Sequence, residues 1–156
     1  MTRPAGPNAR HWEDFEVGDV VESAPRTVHT ADLAAFADVS GDHNPLHSSG
    51  DPVFGRPIAH GLLGVALAVG LVEETGVHHG TTIAMVGLTD WRFHAPLLAG
   101  DTVRARMRVT AKRPSSRPGR GVLTRRLELV DQHGAVLQDG ETTLLVRTRG
   151  ATGEAG

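Results

Sequence analysis

The chain has 156 residues, of which 39% are hydrophobic and 22% charged, and this composition predicts one globular domain spanning residues 1–156. A formal net charge of −2 and an aromatic content of 4% provide neither a positive field nor stacking platforms, which argues against nucleic-acid binding. The chain has no cysteine, so disulfides, thiolate catalysis and cysteine-based metal sites are excluded.

The two ends of the chain and its most apolar run bear on location. Residues Met1–Arg10 are polar and lack the apolar stretch of a secretory signal, so we expect a cytoplasmic protein. The run Leu62–Val72 falls well short of the ~20 residues that span a bilayer, so we expect no membrane segment. From about Gly150 the chain should be a flexible tail.

The first elements in chain order are a strand, a helix and a loop. The pattern predicts a strand near Val20–Val28, followed by a helix with Thr30 as its N-cap and Gly41 as its end. From Ser40 to Pro57 the chain is rich in Gly, Pro, Asn, Asp, Ser and His, which is typical of a loop. Because long loops in small domains are often functional, this segment is the first candidate site.

The second half of the chain predicts one apolar helix and several strands. Residues Gly61–Thr75 are apolar almost all round, with Gly76 as a helix stop, so we expect a helix buried on every side. Strands are predicted at 83–93, 103–113, 122–130 and 135–149. The resulting fold class is α+β, an antiparallel β-sheet wrapped around a long central apolar helix.

Three kinds of group with catalytic potential occur close together in sequence. Asp42 and His47 are a carboxylate and an imidazole that could hold and polarise a water molecule. Pro45 lies between them and disfavours a regular helix, so a fixed loop is expected. Gly61 places a bare backbone N–H at a helix N-terminus, where developing negative charge is stabilised.

The histidines and their neighbours also admit other interpretations. A single Asp or His in such a loop is often a turn former or a solvated side chain. Asp42, His43, His47 and His60 could also supply ligands to a metal ion, but Pro45 disrupts the helical face that His43 and His47 would need. No metal site is therefore predicted, and the pair His78-His79 before Gly80 is interpreted as a solvated loop.

A basic segment runs from Lys112 to Gly121 between two predicted strands. Its simplest interpretation is a solvated hairpin that protects a sheet edge from aggregation. The alternative is attraction of a phosphorylated carrier such as coenzyme A. No glycine-rich phosphate loop occurs in the sequence, so no nucleotide cofactor is expected.

Three stretches of the chain resemble a known family. They are the stretch FADVSGDHNPLH at residues 36–47, the stretch FGRPIAHGLL at 54–63, and the stretch WRFHAPL at 91–97 running into GDTV at 100–103. In these stretches the sequence is similar to the MaoC-like, (R)-specific enoyl-CoA hydratases and dehydratases of the hotdog fold. The resemblance implies reversible hydration of trans-2-enoyl thioesters to (R)-3-hydroxyacyl thioesters.

The resemblance also implies roles for individual residues. Asp42 and His47 would be the catalytic pair, Asn44 would orient the loop or the water, and the Gly61 N–H would bind the thioester oxygen. Substrate contacts are expected from the neighbouring residues Gly41, Pro45, His60 and Leu62. The implied partner is an acyl thioester of coenzyme A or acyl carrier protein, no cofactor is implied, and a homodimer is expected.

The sequence departs from the family pattern between His47 and His60. This segment is about one helical turn shorter than in the family, and Ser49 occupies a position where an Asp is usual. The shortening leaves the acyl preference open. Two alternative functions also stay open at this point: a hotdog-fold acyl thioesterase, and a catalytically silent module that binds an acyl group or a partner.

Overall fold

The computed structural model describes residues 7–50 and 52–151 and shows one antiparallel sheet packed against a helix. The strand order is β1-β4-β5-β6-β3, and the short strand β2 pairs with the start of β4. The strands are β1 (Val20–Glu22), β2 (Arg26–Thr27), β3 (Thr82–Phe93), β4 (Thr102–Pro114), β5 (Arg120–Val130) and β6 (Val136–Arg147). The predicted α+β class is confirmed.

The first predicted strand, Val20–Val28, is wrong as a continuous element, because the structure divides it into β1 and β2. The break follows Ser23, whose hydroxyl accepts the Ala105 N–H and so replaces a backbone acceptor of the ladder. Pro25 then has no N–H to donate. These two residues interrupt the pairing with β4, and β2 resumes it directly after Pro25.

Helix α1 (Thr30–Ser40) begins and ends almost where the sequence predicts. The cap residue is His29 rather than Thr30, and its backbone N–H donates to Asp32 in the first turn. Gly41 ends the helix with φ +79°, a left-handed conformation that glycine adopts without strain. This ending turns the chain directly into Asp42.

Helix α2 (Gly61–Glu74) has 14 residues, which corresponds to about 21 Å at ~1.5 Å per residue. It packs against β4 and β5, and its buried face includes Leu63, Leu67 and Leu71. The prediction that it is buried on every side is wrong, because Leu62 is 63% exposed and a stripe through Ala66 and Gly70 also faces outward. No described element covers that stripe.

The core lies between α2 and the concave face of the sheet. It contains Met107 from β4, Leu127 from β5 and Leu144 from β6, each at most 2% exposed. The strand β3 forms one edge of the sheet and leaves several apolar side chains exposed. Among the described residues, no helix is long and apolar enough to cross a membrane.

Two further predictions can be compared with the structure. The prediction that His78 is solvated is wrong, because this residue is 1% exposed and stacks on Phe15 with ring centroids 5.2 Å apart. Its burial depends on contacts distant in sequence, which local composition does not reveal. The predicted tail from about Gly150 lies largely outside the described residues, which end at Ala151.

The basic segment comprises the last residues of β4, the turn that follows and the first residues of β5. At the opposite end of β5, Leu129 pairs with Gln138 of β6. Leu129 is about 27 Å from Gly121 along the strand, at ~3.4 Å per residue. Within one copy of the chain, this turn is therefore remote from the end of the sheet at which α2 begins.

Candidate active site

The loop that follows α1 is held by its own side chains. Asp42 accepts the Asn44 N–H through Oδ1 at 3.2 Å, and Asn44 accepts the Leu46 N–H through Oδ1 at 3.2 Å. Pro45 opens a 3-10 turn, Pro45–His47, for which Asn44 is the cap. Consecutive turns of this kind fix a short segment without regular secondary structure. Asp42 and His47 are thereby held at the two ends of one rigid bend.

The Asp42 carboxylate faces the His47 imidazole. His47 Nδ1 lies 2.6 Å from the Ile58 carbonyl oxygen and donates to it, so the Nε2 atom carries the lone pair in the neutral ring. That Nε2 atom is 3.5 Å from Asp42 Oδ2. Two acceptors therefore face each other, and a water molecule that donates to both would satisfy them. The His47 side chain is 11% exposed and that of Asp42 is 55% exposed, so solvent reaches the pair from the carboxylate side.

His60 lies beneath both members of this pair. Its ring stacks on that of His47, with centroids 3.5 Å apart and planes inclined by 19°, and it also contacts Phe36. Its Nε2–H donates to the backbone carbonyl of Asp42 at 2.8 Å. The residue is 4% exposed, and its Nδ1 atom has no hydrogen-bond partner in the described part of the chain. His60 therefore holds the loop at Asp42 and also orients the imidazole of His47.

The N-terminus of α2 adds unpaired donors. The Leu63 and Gly64 N–H groups donate to the His60 carbonyl, whereas those of Gly61 and Leu62 find no acceptor within residues 7–50 and 52–151. A side chain at position 61 would force the Phe93 ring to move, since its Cβ would lie 2.9 Å from Phe93 Cε1. The first turn thus presents bare N–H groups of the kind that bind developing negative charge.

Two cavities meet at His47. The β3 cavity has a volume of about 440 Å³, and the α1 cavity one of about 500 Å³. The β3 cavity is lined by residues that include His47, Gly61, Phe93, His94 and Gln138. The α1 cavity is lined by one face of α1 together with His43, Asn44 and His47. The structure therefore joins the predicted residues Asn44, His47 and Gly61 to space that a ligand can occupy.

A second imidazole–carboxylate pair lies at the rim of the β3 cavity, and the sequence did not point to it. His94 Nε2 is 2.7 Å from Asp139 Oδ1, and Arg126 contacts the other oxygen of that carboxylate. Burial alone would raise the pKa of Asp139, but the hydrogen bonds from His94 and Arg126 lower it below its usual range. The carboxylate is thus satisfied by an imidazole and a guanidinium that lie far from it in sequence.

The cluster of Asp42, His47 and His60 offers three ligand atoms within 4.8 Å of one another. A metal ion lies in the plane of every imidazole that binds it. Because the two rings are stacked in nearly parallel planes, one ion cannot lie in both planes at bonding distance. The arrangement fits proton transfer better than metal ligation. His43, which the metal alternative also used, faces solvent and lies 4.0 Å from Asp38.

Comparison with known proteins identifies the family. The model of the MaoC like domain matches residues 14–129, which is most of the chain. This protein belongs to the MaoC-like domain family. The MaoC-like chain is 33% identical over 138 residues to the (R)-specific enoyl-CoA hydratase of Aeromonas caviae, covering 85% of this chain and 96% of that protein. The family resemblance inferred from the three sequence stretches is confirmed.

A second relative is much longer than this chain. The MaoC-like chain is 33% identical over 111 residues to Protein MaoC of Klebsiella aerogenes, covering 69% of this chain but only 32% of that protein. It therefore spans about a third of the length of that relative. Other relatives bear the names 3-hydroxybutyryl-CoA dehydratase and 3-hydroxyacyl-thioester dehydratase Z, so hydratases and dehydratases are among the relatives of the MaoC-like chain.

Solved structures agree on the fold. The monoamine oxidase regulatory protein of Archaeoglobus superposes with a TM-score of 0.81 at 32% identity, covering 95% of this chain and 98% of that one. A Mycobacterium tuberculosis protein described as a double hotdog fold has a TM-score of 0.78 at 20% identity, covering 95% of this chain and 47% of that one. The hotdog fold predicted for the MaoC-like chain is confirmed.

Proposed function

We propose that this protein is a hydro-lyase that adds water reversibly across the double bond of trans-2-enoyl thioesters to give (R)-3-hydroxyacyl thioesters. The observation that carries the proposal is the pair of acceptors on Asp42 and His47, held beside the unpaired N–H groups of α2. The names of relatives at about a third identity support the reaction class and its R configuration.

The carboxylate and the imidazole act on one water molecule. Water donates one hydrogen to Asp42 Oδ2 and the other to His47 Nε2, since both atoms are acceptors when the Nδ1–H of His47 is held by Ile58. The water oxygen then attacks carbon 3 of the enoyl group as one O–H bond breaks and its proton passes to the pair. General acid–base assistance of this kind contributes about 10²- to 10⁴-fold to a rate.

The N-terminus of α2 stabilises the charge that this attack creates. As the C3–O bond forms, the electron pair of the double bond moves toward the thioester oxygen, which the Gly61 N–H binds. One such donor is worth about 3 kcal/mol when water is excluded. The proton held by the Asp42–His47 pair is then delivered to carbon 2, so that water has been added and both residues regain their starting states.

The neighbouring residues are assigned supporting roles in this proposal. Asn44 orients the loop, because its side chain caps the turn that carries His47. Gly41 and Pro45 set the path of the chain around the substrate. Leu62 contributes an exposed side chain and a second unpaired N–H beside Gly61. His60 keeps its expected role of contacting the substrate. We assign it a second role, which is to hold the loop, because it bonds the Asp42 carbonyl and stacks on His47.

The substrate is an enoyl thioester of coenzyme A or of acyl carrier protein. The reaction needs no cofactor, because the carboxylate, the imidazole and the backbone donors supply the proton transfers and the charge stabilisation. We place the reaction in the cytoplasm, in keeping with a chain that contains no cysteine.

The working form is proposed to be a homodimer. The edge strand β3 leaves Met85, Val86 and Leu88 about half exposed, and Phe93 of the same strand is 56% exposed while lining the β3 cavity. A second copy added along this edge would cover these side chains and narrow the cavity. Light scattering should give twice the 16.5 kDa mass of the chain, and a monomer at assay concentration would contradict the proposal.

The catalytic proposal is tested with crotonyl-CoA and longer enoyl thioesters on both carriers, by following the loss of enoyl absorbance. Asp42→Asn and His47→Gln keep the size of each side chain and should each lower kcat by about 10²- to 10⁴-fold. Glu74→Gln is the matched control, since it changes an exposed carboxylate at the far end of α2 and should leave the rate unchanged.

Two results would contradict hydration. Release of free thiol from saturated acyl thioesters without hydration of enoyl thioesters would indicate a thioesterase in which Asp42 directs water at the carbonyl. A folded protein that binds acyl thioesters but converts none of them, with Asp42→Asn and His47→Gln indistinguishable from the parent, would indicate a silent binding module.

A further inference from the structure

A buried glutamine forms part of the wall of the β3 cavity. Gln138 lies on β6 opposite Phe93, is 2% exposed, and lines the same cavity as His47 and Gly61. No motif or spacing in the sequence selects it. Buried carboxamides need partners for both their oxygen and their nitrogen, because leaving either unpaired is costly.

The oxygen of this carboxamide has a partner that fixes its orientation. Trp91 Nε1–H donates to Gln138 Oε1 at 3.1 Å, which identifies the other end of the amide as the nitrogen. Trp91 lies in a bulge of β3 between Thr89 and Arg92, and its ring lies across Gly140, where a Cβ would be 2.6 Å from Trp91 Cε3. A bulge redirects side chains in this way, and here it directs the indole toward Gln138.

The nitrogen of the carboxamide lies against the first turn of α2. A Cβ added at Gly64 would be 2.1 Å from Gln138 Nε2, so the amide occupies the space that a side chain at position 64 would take. Gly64 is one turn along the helix from Gly61, on the same side. The Gln138 N–H donors find no acceptor in the described part of the chain, and neither does the Gly61 N–H.

We propose that the Gln138 carboxamide donates a hydrogen bond to the thioester carbonyl oxygen of the substrate, beside the Gly61 N–H. This assignment rests on the proposed function, because it takes an acyl thioester as the ligand. A single oxygen placed against the bare first turn of α2 would accept from both donors, since the two line one cavity and flank the same turn. Gln138 moves no proton; it makes the site selective for ligands that carry an acceptor at this position.

The test pairs a side-chain deletion with a deletion in the ligand. Butyryl-CoA carries the thioester carbonyl, whereas S-butyl-CoA is the thioether that lacks only this oxygen. Binding of each ligand is measured by calorimetry to the parent protein, to Gln138→Met and to Trp91→Phe. Methionine keeps the length of the side chain without a donor, and Trp91→Phe keeps Gln138 but removes the indole that orients it.

The parent should bind butyryl-CoA more tightly than S-butyl-CoA. In Gln138→Met this preference should fall by about 5- to 10-fold, the value of one neutral hydrogen bond, while the affinity for S-butyl-CoA stays within about twofold. In Trp91→Phe the preference should fall by about 3-fold, because the amide is present but less well oriented. For crotonyl-CoA, kcat in Gln138→Met should fall by up to about 10²-fold.

The results can separate this inference from the function on which it rests. Equal weakening of both ligands by Gln138→Met would show that the residue only packs against α2, and the inference would be wrong. Should Gln138→Met not fold, an unchanged ligand preference in Trp91→Phe would overturn it. A parent protein that neither binds butyryl-CoA nor hydrates crotonyl-CoA would instead overturn the proposed function. This result requires only the parent protein and does not depend on either variant.

Discussion

Acid should destabilise this protein through one buried imidazole. His78 is 1% exposed, and neither of its ring nitrogens has a hydrogen-bond partner in the described part of the chain. Burial, with a smaller contribution from the nearby charges of Arg125 and Arg10, lowers the pKa of His78 to about 3. In the unfolded chain the pKa of histidine returns to about 6.5.

The sign and size of the effect follow from this difference. The folded protein takes up the proton less readily than the unfolded chain, so stability is complete above about pH 6.5 and falls as the pH is lowered toward 3. A pH of 4.5 is about two units below the pKa of histidine in the unfolded chain. Protonation therefore lowers the free energy of the unfolded chain by about 2.7 kcal/mol, at ~1.36 kcal/mol per unit. That is a large part of the ~5–15 kcal/mol that stabilises a typical domain.

The measurement is urea unfolding at pH 7.0 and pH 4.5 for the parent and for His78→Phe, which keeps a ring stacked on Phe15. The loss of stability between the two pH values should be smaller by about 2.7 kcal/mol in His78→Phe. Arg125→Met is a second variant, because removing this charge should raise the pKa of His78 and also reduce the loss. An identical pH dependence in the parent and His78→Phe would refute the reasoning.

Three further predictions concern helix α2 and its cap residue His60. His60→Phe keeps a ring against the His47 imidazole but loses the donor to the Asp42 carbonyl, so we expect kcat to fall by about 10²-fold. His60→Gln keeps an N–H at similar reach, so we expect kcat to fall by only about 10-fold. In both variants KM should change little. Steady-state kinetics of both variants check this, and equal losses would contradict it. Gly70→Ala should stabilise the protein by about 0.5–1 kcal/mol in urea unfolding, because a Cβ there meets open space. Gly64→Ala should instead lower activity by displacing Gln138, and an unchanged rate would show that the amide position is unimportant.

Much of the fold could be predicted from local sequence signals. The end of α1 at Gly41 and the start of α2 at Gly61 depend on residues within one turn of the boundary, and both predictions agree with the structure. The break in the first strand was missed because it requires Ser23 to replace a backbone acceptor for Ala105 across the sheet. Such a contact leaves no signal in the local alternation of apolar and polar residues.

The candidate site was predictable only where it is continuous in sequence. Asp42, Asn44 and His47 share one loop with a proline, so their proximity follows from the chain itself. The roles assigned to them stay predictions. Gln138 and Trp91 could not be found in the same way, because their positions depend on the register of β3 against β6 and on a bulge in that pairing.

The uneven burial of α2 has a similar origin. Its residues are apolar on all sides, and this property alone predicts complete burial. The sheet covers only the face that contacts β4 and β5, and the residues on the open face include the small Ala66 and Gly70.

The position of His47 between two cavities affects how its role should be tested. Its side chain lines both the β3 cavity and the α1 cavity, so it is a partition between two spaces of about 440 and 500 Å³. Truncation to alanine would remove this partition as well as the imidazole, and would open one space toward the other. A rate lost in His47→Ala would then mix missing chemistry with a misplaced acyl chain, while the variant gains room for bulkier ligands. A side chain of similar size is therefore the appropriate blank, and the alanine variant is better used to explore which acyl groups the enlarged space admits.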